Sequence, residues 1–516
     1  MSSRLLPNPG RRRSLGLGLG SAGWLAAPPF IRHALAADVP RFTLGVASGQ
    51  PRPNSVVLWT RLMGLDLPER CEVRWELAED EGFTRLASAG VFETEAAWAH
   101  SVHAEPTGLA PGRWYWYRFQ ALGWRSPVGR TRTAPALDAP STLRAALACC
   151  QRWEHGHYAA WRHIASQPND LVLFVGDYIY EYPSARTGAR THTLYAARNL
   201  GQYRNRYELY KSDLALQAAH AAAPWLLVWD DHEVENDYAA DQGLHLSGAA
   251  MRAVRAAAYQ AYWEHLPFSM AQRPRGADMR IYDRFDWGSL ARLHAVDDRQ
   301  YRDPQACAPM FRVAGVGRVS PERCTELMDP GRSLLGVAQE RWLAEGWDIG
   351  RGWNLLLQQT LMARNSSKSV EGTDGGRFAA DNWDGYPHAR QRLLNTLVQR
   401  HVPNPVVLGG DVHANYVAEL KADFDDERSA VVASEFCATS ISSNGPPQFV
   451  VNNALRHNPH LLHGRGDQRG YIALDLQPGR LSATTMVVER PADPFSAVAG
   501  DASFVVESGR AGPQRD

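Results

Sequence analysis

The sequence predicts an α/β fold built on strands buried on both faces, preceded by a small all-β domain. Three observations carry this. First, four apolar runs without polar alternation end in chemically loaded turns. Leu143–Leu147 leads to Ala148-Cys149-Cys150-Gln151, and Leu171–Val175 to Gly176-Asp177. Trp225–Trp229 leads to Asp230-Asp231-His232-Glu233, and Pro405–Gly410 to Asp411-Val412-His413. Runs of this kind suit a parallel sheet covered by helices, and ligands of such sheets bind beyond the carboxyl ends of the strands. Second, Ala- and Leu-rich segments of helical spacing alternate with these runs. Third, the strands before about residue 137 alternate with period two between Gly, Pro and Asp, as in a β-sandwich.

The first segment, 1–37, reads as an export signal. Arg11-Arg12-Arg13-Ser14-Leu15 precedes a weakly apolar Leu-Gly stretch, and Ala34-Leu35-Ala36 offers a small-x-small cleavage site. That pattern describes a signal peptide, and the paired arginines favour the twin-arginine route, with the translocase as a transient partner. A periplasmic or secreted location follows. No other stretch is long and apolar enough to span a bilayer, so no stable membrane anchor is expected.

Residues 38–137 carry Val56–Thr60, Cys71–Glu76 and Trp114–Phe119, the strands of a fibronectin- or immunoglobulin-like module, with Arg118–Arg132 as its closing hairpin. Thr133–Ser141 reads as a linker. The catalytic domain is expected over 142–495 and a tail over 496–516. Within it, Tyr158–Ser166, Leu209–Ala221, Met251–Trp263, Leu334–Glu345 and Ala389–Arg400 read as helices. Ile281–Trp287 and Ser289–Val296 read as a β-pair, followed by a loop over Asp297–Pro330. Cys307 and Cys324 fall in that loop and are either a disulfide or two free thiols. Asn365–Trp383 is Ser- and Gly-rich and reads as a mobile loop or lid over a site.

At 516 residues the chain is long enough for two domains. Lys plus Arg and Asp plus Glu are both 55, so no bulk charge directs it to nucleic acid or anionic membrane. Seventeen Trp point to core and cleft packing. Six Cys are too few for a disulfide scaffold.

Taken singly, Asp177, Asp231 and Asp411 could be turn formers or helix caps. Together with His232 and His413 they indicate a polynuclear metal site, because several buried strands do not all end in unpaired charge. A bridging carboxylate can hold two cations ~3.5–4 Å apart, as in two-metal phosphoryl transfer. Tyr180 adds a phenol, a donor suited to a ferric ion. Cys150 is either a thiolate ligand or a small buried hydrophobe. Oxygen-rich positions suit Ca²⁺, Mg²⁺ or Mn²⁺.

Ala148–Gln151, Gly176–Glu181, Trp229–Glu233, Asp298–Arg302, Trp383–Tyr386 and Gly410–His413, in that order, resemble the alkaline phosphatase D (PhoD-like) family. Phe42–Gly49 and Val57–Arg61 resemble that family's N-terminal β-domain. The resemblance implies a metallophosphoesterase-like β-sandwich flanked by helices, and hydrolysis of phosphomonoesters and phosphodiesters at alkaline pH. It implies one Fe³⁺ and two Ca²⁺, with other divalent metals as alternatives. Carried over, Cys150, Asp177, Tyr180 and His413 would surround iron, and Asp177 would bridge to calcium. Asp231, Asp411 and Asn236 would be further ligands. His232 would bind phosphate or protonate the leaving group, while Arg302 and Trp383 would shape the pocket or serve structure alone. Register before Gln151 assigns the thiol to Cys150 rather than Cys149.

Coordination to such cations lowers the pKa of water by many units, so the expected nucleophile is a water activated there. No Ser follows any of these strands in an elbow motif. The other readings are a phosphodiesterase or phospholipase D on the same centre, and a non-catalytic metal- or phosphate-binding protein. The Ser442-Ser443-Asn444-Gly445 loop lacks a P-loop's Lys and spacing and reads as an ordinary turn.

Overall fold

The computed structural model describes residues 40–183, 188–308, 317–371 and 375–516. The export signal expected over 1–37 lies outside these residues.

Strands β1 (Val46–Arg52), β2 (Ser55–Arg61), β3 (Arg70–Ala78), β4 (Leu86–Glu95), β5 (Ser101–Ala104), β6 (Trp114–Ala121), β7 (Trp124–Arg125) and β8 (Gly129–Arg132) come first. The Arg118–Arg132 hairpin is present, β6 pairing antiparallel with both β7 and β8. β3, β4, β6 and β7 form one sheet, with β8 on β6. β1, β2 and β5 instead extend the main sheet of the chain. The join is Gly49 opposite Trp225, where a Cβ on Gly49 would stand 2.9 Å from the Trp225 carbonyl and 2.8 Å from that of Pro267. Only glycine lets the two backbones come this close.

The main sheet has ten strands. β9 (Leu143–Ala148), β10 (Leu171–Val175) and β11 (Trp225–Val228) run parallel at its centre, every β10 residue being buried. A second sheet of seven strands starts with the antiparallel pair β12 (Asp283–Trp287) and β13 (Ala291–Ala295), as the sequence indicated. Beyond the two-residue β14 (Arg318–Val319), β15 (Trp353–Leu357) lies parallel to β13. Beyond the equally short β16 (Phe378–Ala379), β17 (Pro405–Gly409) and β19 (Val431–Cys437) continue that parallel set, with β18 (Asn415–Lys421) and β20 (Leu461–Arg465) antiparallel at its edge. One apolar core takes Leu147, Leu173 and Leu226 from the first sheet and Leu355, Leu408 and Phe436 from the second, so the sheets pack face to face.

Helices α1 (Ala159–Ser166), α2 (Leu200–Lys211), α3 (Leu214–Ala222), α4 (Gly248–His265), α5 (Val337–Gly346), α6 (Pro387–Gln399) and α7 (Gln448–His457) complete the layers. The single helix expected over Leu209–Ala221 is two. The chain breaks at Asp213, whose Oδ1 accepts from the Ala215 and Leu216 N–H groups at 2.9 and 3.1 Å and caps α3.

Two further expectations need correction. The tail over 496–516 carries a ten-residue strand, β23 (Val498–Glu507), paired to β22 (Arg480–Val488), which pairs in turn to β21 (Gly470–Gln477). The short β24 (Gln514–Arg515) closes that edge. The expected lid is tied down where it is described. Asn365 donates its N–H to Asp384 Oδ2 at 2.9 Å, and β16 pairs with β14.

Candidate metal centre and active site

The carboxyl ends of β9, β10, β11, β13 and β17 face one another across the two sheets. Three of these exits, after β9, β10 and β17, are fixed by backbone geometry that few residues adopt. Cys150, Asp177, Asp411 and His413 all have positive φ (56°, 59°, 65° and 53°). Strained non-glycine residues of this kind concentrate at functional sites. The glycines preceding two of them are required sterically. A Cβ on Gly176 would meet the Asp230 Cβ at 2.4 Å, and one on Gly410 the Cys149 sulfur at 2.7 Å.

Three groups of donor atoms result, each within 4.8 Å: Cys150 with Asp177 and His413, Asp177 with Asp231 and His232, and Asp231 with Asp237 and Asp381. Asp177 and Asp231 each belong to two groups, as bridging ligands must. The Tyr180 hydroxyl lies 2.7 Å from Asp177 Oδ2 and 3.0 Å from His413 Nε2, so it joins the first group. Asp411 lies outside all three but is electrostatically coupled to Asp177, Asp231 and Asp381.

Asp177, Asp230, Asp231, Asp298, Asp381 and Asp411 converge here against the cations Arg299, Arg302 and His232. Arg299 is buried between Asp230 (2.5 Å) and Asp381 (2.7 Å). Burial and mutual repulsion push the carboxyls of Asp230, Asp231 and Asp411 upward. Burial, then Cys149, Asp177 and Asp411, push the Cys150 thiol upward, and burial does the same to the Tyr180 phenol. Asp177 goes the other way: burial works against its charge, but His232 and His413 hold it below the usual carboxylate range. Asp177 Oδ1, Asp231 Oδ1, Asp230 Oδ2 and both oxygens of Asp298 are buried without a hydrogen-bond partner among the described residues. Bare buried carboxylate oxygens facing a thiol, a phenol and imidazoles are donors that could hold cations. The third group fits less well, because Asp381 is already held by Arg299 and Arg302 and stays ionised, its pKa lowered to about 2.

Sequence reading did not anticipate what orients these donors. Glu233 is one. Its carboxylate accepts the N–H groups of Asp177 (3.1 Å), Tyr178 (2.5 Å) and Asp230 (2.9 Å), tying the β10 exit to the β11 exit, and burial raises its pKa to about 8. The Ser442–Gly445 loop is another, and it is no ordinary turn. Ser443 Oγ accepts the Arg152 N–H at 3.0 Å and lies 2.8 Å from the Tyr180 hydroxyl. The Asn444 carbonyl accepts from His413 Nδ1 at 2.7 Å, which turns Nε2 toward Asp177. Such partners hold a ligand's orientation and tautomer. Asp237 and Asp381 were also missed. Asp237 directly follows Asn236, and Asp381 opens the Asp381-Asn-Trp-Asp stretch, so adjacency to noted motifs was their only signal.

His232 donates Nδ1–H to Glu181 Oε2 at 2.7 Å, and its ring centroid lies 4.1 Å from that of Tyr180. Although burial opposes it, Asp231, Glu181 and Asp177 hold the imidazole charged, well above its ordinary range. Asn236 gives its N–H to Glu181 Oε1 at 2.7 Å, and its side-chain oxygen is 3.5 Å from the Tyr182 hydroxyl. Arg302 is fully buried with its guanidinium closed on Asp381, so it bears on the site only through that carboxylate. Trp383 is buried and donates its indole N–H to Gln358 at 3.0 Å.

The profile of the PhoD-like phosphatase family matches residues 145–485, and that of the family's N-terminal domain matches residues 27–135. The chain belongs to the PhoD-like phosphatase family. It is 40% identical over 491 residues to alkaline phosphatase D of Bacillus subtilis, which covers 91% of this chain and 82% of that protein. A solved structure of PhoD superposes with a TM-score of 0.87 at 39% identity, over 93% of this chain and 92% of that one. The purple acid phosphatase PPD1 of yellow lupin shares the fold at 10% identity, with a TM-score of 0.57 over 90% of this chain and 74% of that one. Every exit turn described above falls inside the matched region of this PhoD-like phosphatase.

Proposed function

We propose that this PhoD-like phosphatase is an exported alkaline phosphatase that hydrolyses phosphomonoesters and phosphodiesters on a centre of one Fe³⁺ and two Ca²⁺. The observation that carries the reading is the pair of overlapping donor groups sharing Asp177, with bare buried oxygens on Asp177 and Asp231. Cys150, Asp177, Tyr180 and His413 would hold the iron, the soft thiolate and the anionic phenolate favouring Fe³⁺ over Zn²⁺. Asp177, Asp231, Asp411 and Asn236 would hold calcium through oxygen. Bound there, the cations offset the charge on the transferring phosphoryl group and acidify water.

The chain's own residues do the rest. Glu181 takes up the His232 Nδ1–H and fixes the ring's orientation, so Nε2–H is the group that meets a phosphoryl or leaving-group oxygen and supplies its proton. Arg299 and Arg302 keep Asp381 charged and in place at the floor of the site.

Export by the twin-arginine route to the periplasm or beyond is supported by the basic leader. The Cys307–Cys324 disulfide suits an oxidising compartment. No helix among the described residues is long and apolar enough to cross a membrane.

The test is turnover of a chromogenic phosphomonoester and its matching diester at alkaline pH, before and after chelation, with iron and calcium assayed in the same preparation. Turnover lost on chelation and restored by iron plus calcium is expected. Full activity in the metal-free protein would end this reading.

A further inference from the structure

We propose a second anion-binding subsite, apart from the metal centre, in the pocket beside strands β14 and β16, which takes a second phosphate group of the same substrate. A cavity of about 250 Å³ is lined there by Arg318, Ser320, Arg323, Lys368 and Arg377 together with Val319 and the Cys307–Cys324 pair, and no carboxylate among the described residues lines it. In a chain with 55 basic and 55 acidic residues, four cations around one small cavity form a local positive field.

The strand pairing explains the arrangement. Arg318 pairs with Ala379 and Val319 with Phe378, so Ser320 comes opposite Arg377. Alternation then puts Arg318, Ser320 and Arg377 on one face. Val319 and Phe378 belong to a small apolar cluster with Ala306, Cys324 and Leu327, and Val319 and Cys324 also reach the pocket wall. The Cys307–Cys324 disulfide is itself part of the pocket wall.

Two of the cations carry the proposal. Arg318 Nη1 donates to the backbone carbonyls of Asn365 (3.1 Å) and Arg377 (3.5 Å), and neither Arg318 nor Arg377 forms an ion pair among the described residues. Arg323 and Lys368 already have partners and add charge to the wall. Glu326, beside Cys307, is taken up by the Cys307 N–H and by Arg332, both at 2.9 Å. Guanidinium forks with free donors bind phosphate oxygens in pairs.

The pocket lies within reach of the metal centre. At most ~14 Å of extended chain separates Arg377 from Asp381. A small phosphomonoester occupies the metal centre alone, whereas a substrate whose second phosphate lies within that ~14 Å span of the first engages both places. The binding claim is independent of the proposed activity, while its consequence for turnover rests on it.

The experiment compares the metal-loaded wild type with R318A/R377A on two chromogenic substrates, 4-nitrophenyl phosphate and a 4-nitrophenyl ester carrying a second phosphate within that span. Equilibrium binding of inorganic tripolyphosphate is measured in parallel. In the double variant, KM for the bisphosphate is expected to rise at least tenfold, about 1.4 kcal/mol. Its kcat and both parameters for the simple ester stay unchanged. R318K/R377K recovers part of the loss, which a folding defect would not allow. An unchanged bisphosphate KM in R318A/R377A overturns the proposal. If the wild type turns over neither substrate, the phosphatase reading fails and tripolyphosphate decides: weaker binding to R318A/R377A supports the subsite, and equal binding overturns it.

Discussion

The hydroxyl of Tyr180 stands 2.7 Å from Asp177 Oδ2, so a phenol and a carboxylate three positions apart in sequence aim at one point. His413 closes that point from the opposite sheet, its Nε2 3.0 Å from the same hydroxyl. Burial and the nearby Asp177 both disfavour ionisation of the phenol, so only a cation makes it a phenolate at working pH.

Tyr180→Phe is therefore expected to cost metal affinity more than turnover of whatever protein remains loaded. Metal titration should show a loss above ~100-fold, the upper end for partners that only orient a ligand. Ser443→Ala, which removes the contact 2.8 Å from that hydroxyl, should cost ~10–100-fold by the same assay.

Asp231→Asn should change sign with metal content. Burial, and then repulsion from Asp177 and Asp381, disfavour charge on Asp231, so in the metal-free protein the amide raises stability. In the loaded protein the same change removes a bridging donor and lowers it. Urea denaturation of both forms is the measurement, and a change of one sign in both would refute the account.

The Tyr180 and Asp231 predictions rest on residues the sequence made visible. Asp177, Asp231, Asp411 and His413 end strands whose apolar runs are local in sequence, so strand and ligand are read together. Glu233 was visible within its motif but not its task, because its three N–H partners lie on two different exits. Ser443 meets Cys150 and Tyr180 only through pairings of 293 and 263 residues in sequence, which no local pattern reveals. The same limit hid β14 and β16, two-residue strands defined only by each other, and the joining of β1 to β11 through Gly49. β23 was passed over because Gly500 and Asp501 interrupt its apolar alternation.

Lys211 predicts a pH dependence of stability. It is buried with its ammonium 4.1 Å over the Trp59 ring, and burial lowers its pKa from 10.5 to about 7. Between those values the unfolded chain binds more protons than the folded one, so this residue makes stability rise as pH increases from about 7 to 10.5. The size is a few kcal/mol at ~1.4 per pKa unit, less the ~2 that a desolvated cation gains over an indole face. Lys211→Met should be more stable than wild type at pH 7 and lose most of this rise, measured by urea denaturation across the range.

Cys307→Ser/Cys324→Ser should lower stability by ~3 kcal/mol, the order expected for a loop closed over a sequence separation of 17. No proposed metal ligand lies between these cysteines, so turnover of a simple phosphomonoester should persist. A Tm scan paired with that assay separates the two effects.

Because the donors come from both sheets, the centre acts as a rivet between them. Its first thiol is at Cys150, and the serine that steadies its phenol is at 443. The proposed ligands themselves run from Cys150 to His413, and no shorter stretch of the chain carries them all. On the proposed centre, metal capture would thus be a late event that reports completed assembly, and the compartment where the second sheet docks onto the first would be the one whose ions the protein samples.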